Sequence, residues 1–220
     1  MNSPPNPNDP FDRVVVINLA RRSERLHRFN QLFQTWPFKP PERFEAIDGS
    51  AVEIPHDWKH GPGAWGCMLS HRAVLGSAIA DKISTLFVLE DDAFPAPDFT
   101  PRSADFLARV PGDWDCLMFG AEHMRPPIPV SPGIVRCVAS NRTHAFALRG
   151  PMMPILLGFW NHFKTDHCDI VLSSLMRHFK AYAPDPFLIG QDAGFSDITA
   201  RCEPARFLSA ETSIPRAIAS

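Results

Sequence analysis

Arg13-Val14-Val15-Val16-Ile17-Asn18-Leu19 decides the fold class of this chain. The run is apolar without alternation and rich in β-branched residues. That is the pattern of a strand covered on both faces, as in a parallel sheet. Just downstream, Leu26, Phe29, Leu32 and Phe33 recur at helical spacing until Pro37 ends the window. Strand, short turn, helix is the opening of an α/β unit. The pattern returns further on. A helical stretch from Ala64 to Lys82, with Met68, Leu69, Ala73, Leu75 and Ile79 as its apolar set, precedes a second buried strand, Ser84 to Leu89. That strand runs straight into Glu90-Asp91-Asp92.

The weaker elements fill the gaps. Residues 43–47 alternate weakly and end at the turn signal Asp48-Gly49, and 50–63 read as a loop. Pro95, Pro97 and Pro101 break the chain before a short helix, Ser103 to Val110, and a strand, Trp114 to Phe119. Residues 120–133 contain Pro126, Pro127, Pro129 and Pro132, which predicts an irregular, mobile lid over an active site. Ile134–Val138 and Thr143–Leu148 read as a hairpin turning at Ser140-Asn141. Helices are expected over Met152–Phe163 and His167–His178, the second capped near Asp166, and then a short strand at Ala181-Tyr182. From Ile198 onward little pattern remains. The expected organisation is a tail over 1–11, one domain over 12–200 and a C-terminal tail over 201–220. The fold class is α/β, with a mostly parallel central sheet and a mixed second half.

Composition narrows the function. The chain has 220 residues, enough for a core without disulfide staples, and 45% of them are hydrophobic. Its net charge of −2 argues against nucleic acid as a partner. Met1 to Pro10 has no apolar signal region, and no window approaches 18 apolar residues, so a cytoplasmic location is expected, without a transmembrane segment. The five cysteines, at 67, 116, 137, 168 and 202, form no Cys-x-x-Cys pair. They exclude a zinc ribbon or a redox pair on spacing, and Cys67, Cys116 and Cys137, in apolar surroundings, read as small buried hydrophobes.

Three stretches carry chemistry. Glu90, Asp91 and Asp92 stand at the carboxyl end of a buried strand, where ligands of open α/β sheets bind. Adjacent carboxylates suit Mg²⁺ or Mn²⁺, and an acidic turn or helix cap would place the same residues there. Over residues 12–28 five arginines stand against two acids. Arg21 and Arg25 share a helix face at its N-terminus, a setting for phosphate; Arg22 and Arg28 read as solvated. Gly63-Ala-Trp-Gly66-Cys-Met-Leu-Ser70-His71 opens a helix with glycines that allow close backbone approach. No Gly-x-Ser-x-Gly, Walker or dinucleotide fingerprint occurs.

In order along the chain, Val15–Leu19 with Arg21, Arg22 and Arg25, Ala46-Ile47-Asp48-Gly49, Gly66–His71, Val88–Ala93, Asp113-Trp114-Asp115 with Gly120, Thr143–Leu148, Asp169, and Gln191 with Ser196-Asp197-Ile198 resemble glycosyltransferase family 25. That group holds lipooligosaccharide and procollagen galactosyltransferases. The resemblance implies a GT-A-like, Rossmann-like fold, a nucleotide-sugar donor such as a UDP-hexose, and inversion at the anomeric carbon. It places donor contacts at Asn18, Arg21, Arg25, Asp48, Ser70, His71 and Asp91. It places a divalent cation, Mn²⁺ or Mg²⁺, at Asp92 with Glu90 or Asp91. Asp169 is its first candidate for the general base and Asp197 the second. The acceptor would be a glycan, a lipid-linked sugar or a protein hydroxyl, compatible with peripheral contact at a membrane, as in lipopolysaccharide biosynthesis. The rival reading is a non-catalytic nucleotide-sugar or glycan binding module on the same fold. A metal-dependent phosphohydrolase fits the acids but not the arginines.

Overall fold

The computed structural model describes residues 9–198 and 201–206. Twelve strands occur among them: β1 Arg13–Asn18, β2 Glu42–Glu45, β3 Thr85–Glu90, β4 Ala93–Pro95, β5 Cys116–His123, β6 Ile128–Ser131, β7 Ile134–Arg136, β8 Ser140–Arg149, β9 Ala181–Pro184, β10 Ile189–Gln191, β11 Gly194–Ser196 and β12 Arg201–Glu203. Five α-helices accompany them: α1 Ser23–Leu32, α2 Gly61–Ala80, α3 Phe99–Arg109, α4 Met152–His162 and α5 Cys168–Leu175. Eight strands form one sheet in the order β2-β1-β3-β8-β5-β9-β7-β6. Six of them point the same way, and β8 and β7 run against them. The sheet is thus mostly parallel in direction and mixed in its second half, as the sequence predicts.

Covering on both faces explains the unbroken apolar runs. In β1, Val15 and Ile17 face a core shared with α2, α4 and α5, while Val14 and Val16 face a second core with α1 and α3. β3 repeats this, with Leu86 and Val88 on one side and Phe87 and Leu89 on the other. Phe87 is fully buried, with ring centroids 4.7 Å from Phe119 and 4.8 Å from Phe11. Burying one such side chain is worth about 1.5–3 kcal/mol, so an alternating strand could not hold both helical layers as well.

The expected lid over 120–133 is not irregular. β5 runs on through His123, and β6 and β7 pair at the sheet edge remote from the acidic strand end. Pro129 lies in β6, an edge strand, where a missing ladder N–H is tolerated. The expected hairpin of 134–138 with 143–148 does not form either. β5 and β9 lie between β7 and β8, and β8 pairs instead with β3 and β5. α3 starts at Phe99 rather than Ser103, because Pro101 occupies the first turn, where no N–H is required. α5 follows His167, not a side-chain cap from Asp166, and ends in a 3-10 turn over Met176–His178. The chain past Ile198 is partly ordered too: β12 pairs with β11, and Arg206 bridges to Gln191. Residues 1–8 and 207–220, the rest of the two expected tails, lie outside the described residues.

Candidate active site

β1 and β3 are parallel neighbours, with Ile17 opposite Glu90, so their carboxyl ends open on one edge. There the chain turns into α1 after Asn18 and into Asp91-Asp92 after β3. β8 descends antiparallel to β3 and brings Thr143 beside Glu90; β10 pairs with β4 and sets Gln191 opposite Ala93. The result is a cavity of about 500 Å³, lined among others by Arg21, Arg25, Asp48, Ser70, His71, Glu90, Asp91, Asp92, Gln191 and Asp197. Of the residues singled out in the sequence, Arg21, Arg25, Asp48, Ser70, His71, Glu90, Asp91, Asp92 and Asp197 line this cavity, and Asn18 and Asp169 do not.

Asp91 and Asp92 share Arg25, and the three acids differ in their other partners. Asp91 is buried; its carboxylate accepts from Asn18 Nδ2 at 2.7 Å and pairs with Arg25 Nη1 at 2.9 Å. Burial still pushes it up to about 6, against the pull of Arg25. Asp92 Oδ2 meets Arg25 at 3.4 Å and Gln191 Nε2 at 3.3 Å, whereas its buried Oδ1 has no hydrogen-bond partner among the described residues. Burial raises that carboxyl as well. Glu90 accepts from the Thr143 hydroxyl at 2.9 Å and lies 3.5 Å from His71 Nε2. Burial, then the charge of Asp92, lift it to about 8, so it is largely protonated at neutral pH.

The arginine turn closes over the cavity. Arg21 bridges Asp48 and, at 3.0 Å, Asp197. Arg22, which sequence reasoning leaves in solvent, grips Asp197 through Nε at 2.9 Å and Nη2 at 3.0 Å. Arg28, also expected in solvent, pairs with Asp192. Burial raises the Asp197 carboxyl, but bonds from Arg22 and Arg21 outweigh it and hold the group below its usual range. Asp48 is also held low, first by the Ser50 hydroxyl and backbone N–H.

The glycine motifs act through packing. A Cβ on Gly66 would lie 2.5 Å from Ile47 O, and one on Gly49 would lie 1.7 Å from Pro62 O. Both glycines let the 46–49 loop lie flat on α2. Ser70 fastens it, accepting from Ile47 N at 2.9 Å and donating to Gly66 O at 2.7 Å.

Asp169 is not among the residues lining the cavity. Its two oxygens accept from Arg142 N at 3.0 Å and Ile170 N at 2.8 Å. Arg142 itself lines the cavity with a φ of 80°, a left-handed conformation that nothing in an arginine's identity announces. Asp192, Arg201, Glu203 and Arg206 also line it and went unseen: Arg201 and Glu203 lie in the three-residue β12, and Asp192 and Arg206 lie outside the strands, so no pattern marks them. Cys116 and Cys137 are buried as expected, and Cys67 is half-buried. Cys67 and Cys168, 101 residues apart in sequence, place their sulfurs 3.9 Å apart, a proximity that spacing rules cannot detect.

Acids, guanidinium groups and a carboxamide thus gather at strand carboxyl ends of a mixed α/β sheet. The expected resemblance is borne out: residues 11–117 match the model of glycosyltransferase family 25 (LPS biosynthesis protein). A protein of Acanthamoeba polyphaga mimivirus, named provisionally as a glycosyltransferase, is 37% identical over 120 residues, 49% of this chain and 37% of its own length. Inactive glycosyltransferase 25 family member 3 of Homo sapiens is 29% identical over 63% of this chain and 27% of its own. Procollagen galactosyltransferase 1 of Danio rerio is 27% identical over 54% of this chain and 23% of its own. The chain therefore spans well under half the length of these relatives. Among solved structures, a glycosyltransferase involved in glycosylation of the major capsid of PBCV-1 aligns with a TM-score of 0.39 and 9% identity, over 69% of this chain and 66% of that one. No helix among the described residues is long and apolar enough to cross a membrane.

Proposed function

We propose that this chain is an inverting glycosyltransferase that moves a hexose, galactose or glucose, from a nucleotide diphosphate such as UDP to an acceptor hydroxyl. The observation that carries this reading is the charge of the cavity wall. Five arginines (21, 25, 142, 201 and 206) face seven acids (48, 90, 91, 92, 192, 197 and 203). Arg22 and Arg28 offset Asp197 and Asp192 from behind the wall, but at the end of β3 Asp91 and Asp92 share Arg25, an excess of one negative charge even with Glu90 protonated and a poor host for a free diphosphate. A divalent cation, Mn²⁺ or Mg²⁺, reverses that balance.

The residues present fit such an ion. Asp92 Oδ1 is a buried carboxylate oxygen with no partner among the described residues, and hard oxygen donors suit either cation. Asp92 would hold the ion, with Asp91 beside it and Glu90 turned toward Thr143 and His71. When bound, the ion would neutralise the diphosphate as it leaves. Arg25 orients both aspartates, and Asn18 holds Asp91 in place through its amide. Arg21 and Arg25 supply planar donors for phosphate oxygens. Ser70 and His71 shape the wall on which the nucleotide rests, and Asp48 steers Arg21.

The base is assigned to Asp197. It lies in the cavity and is ionised, and a diphosphate that drew Arg21 and Arg22 toward itself would free it to take the acceptor proton. Asp169 is assigned a positioning role, fixing the backbone of Arg142. The acceptor is a glycan, lipid-linked sugar or protein hydroxyl, and the setting cytoplasmic. The second reading, a non-catalytic nucleotide-sugar module, draws on the relative named inactive. Donor hydrolysis and transfer across a panel of nucleotide sugars, with and without Mn²⁺, separates the two. Turnover of a nucleoside diphosphate hexose supports the enzyme. Binding without turnover of any donor favours the module, and release of inorganic phosphate alone favours a phosphohydrolase.

A further inference from the structure

Cys67 and His71 stand one turn apart on α2, and Cys168 opens α5. Their donor atoms converge: Cys67 Sγ lies 3.9 Å from Cys168 Sγ and 3.6 Å from His71 Nδ1, and all three lie within 4.8 Å of one another. We propose that these side chains form a site for one thiophilic divalent cation, zinc by preference, distinct from the carboxylate site at Asp92.

Geometry supports a metal over a disulfide. Tetrahedral zinc, with bonds of about 2.3 Å to sulfur and 2.0–2.1 Å to nitrogen, sets about 3.8 Å between two sulfurs and about 3.6 Å between sulfur and nitrogen. The two distances from Cys67 Sγ match those edges, and the third pair, Cys168 Sγ and the His71 ring nitrogen, lies within 4.8 Å. A disulfide, at about 2.05 Å, would require the sulfurs to close by almost 2 Å. Donor chemistry selects the ion. Two thiolates and an imidazole prefer zinc to Mg²⁺ or Mn²⁺, which take oxygen.

The histidine supplies a second observation. His71 is fully buried, and its Nε2 has no hydrogen-bond partner among the described residues, while the Glu90 carboxyl waits 3.5 Å away. Without metal, Nδ1 lies 3.0 Å from Cys67 O and donates its proton there. A metal on Nδ1 moves the ring proton to Nε2, which then donates to a Glu90 carboxyl oxygen, and an oxygen acceptor behind a ligating histidine fixes its tautomer. The balance is simple: Zn²⁺ enters, two thiol protons leave, and the imidazole stays neutral in its other tautomer. Three protein donors leave a fourth coordination position. Cys67 and His71 line the cavity, so water or a ligand group can fill that position from it. The site would tie α2 to α5 and, through Glu90, to the acidic strand end.

The test reads the metal, not turnover, and so stands apart from the proposed transfer activity. The reduced, chelator-treated chain is titrated with Co²⁺ under nitrogen, then with Zn²⁺. The expected result is one equivalent of cobalt with the visible bands of tetrahedral geometry and a thiolate-to-metal charge-transfer band, both abolished by one equivalent of zinc. Cys67→Ser and Cys168→Ser should each weaken zinc binding at least tenfold and shrink the charge-transfer band. Cys202→Ser and Asp92→Asn should leave the spectrum unchanged. A wild-type chain, folded by circular dichroism, that gives no thiolate band would overturn the proposal. So would a band that persists in Cys168→Ser, or one lost in Cys202→Ser.

Discussion

Replacing Asp91 by asparagine should stabilise the fold while it damages function, and the size of the gain can be worked from the site. The carboxyl is almost fully buried, and burial raises it from 3.8 to about 6 even with Arg25 at 2.9 Å. A group whose folded-state value is raised contributes its full stability below its unfolded value. That contribution is lost as pH rises through the folded value, here between about pH 4 and 6. Each unit is worth about 1.4 kcal/mol, so by pH 8 the ionised Asp91 lowers stability by about 3 kcal/mol. Asparagine cannot ionise, and its amide oxygen can still accept from Asn18. Arg25 keeps Asp92 at 3.4 Å and Asp197 at 3.9 Å. Urea unfolding in chelator at pH 8 should therefore show the variant more stable by about 3 kcal/mol. The gap should shrink toward zero as pH falls to 4. A variant less stable than wild type at pH 8, or a gap independent of pH, would refute this electrostatic reading.

Three further outcomes follow from the same geometry. Asp197→Asn should cut transfer about 10²–10⁴-fold with donor binding nearly intact, whereas Asp169→Asn should stay within about tenfold, as measured by initial rates. Arg21→Ala should weaken nucleotide diphosphate binding in calorimetry, and Arg25→Lys should do the same despite keeping its charge, because the planar fork is gone; unchanged affinity in both would remove the arginines from the donor site. Gly66→Ala should lower the unfolding midpoint by several degrees, since the new methyl would lie 2.5 Å from Ile47 O and 2.6 Å from Gly49 N.

The parts of the fold legible in the sequence are those whose burial is two-sided. Val14 to Ile17 and Leu86 to Leu89 face both cores, so their runs declare a central strand whatever surrounds them. The acids and arginines were legible for the same reason, since they interrupt such runs at strand ends. What stayed hidden depends on pairing. Prolines in 120–133 look like breakers unless one knows that β6 is an edge strand. β7 and β8 are neighbours in sequence and not in space, because β5 and β9 intervene. Arg142 carries a positive φ that a glycine would have advertised. Arg201 and Arg206 reach the cavity from a segment whose longest element is three residues. Asp169 looked catalytic at a helix start, and that same position commits both its oxygens to backbone N–H groups.

The central claim is that the orphaned Asp92 oxygen holds the divalent ion on which donor cleavage depends. It is tested most directly by measuring turnover of a nucleotide diphosphate hexose against Mn²⁺ concentration, in the wild-type chain and in Asp92→Asn. The account predicts saturable Mn²⁺ stimulation in the wild type and its loss in the variant. The fall in turnover should be about 10²-fold or more, the scale for removing one group that stabilises developing charge. Wild-type turnover with unchanged Mn²⁺ dependence in a folded Asp92→Asn chain would contradict it.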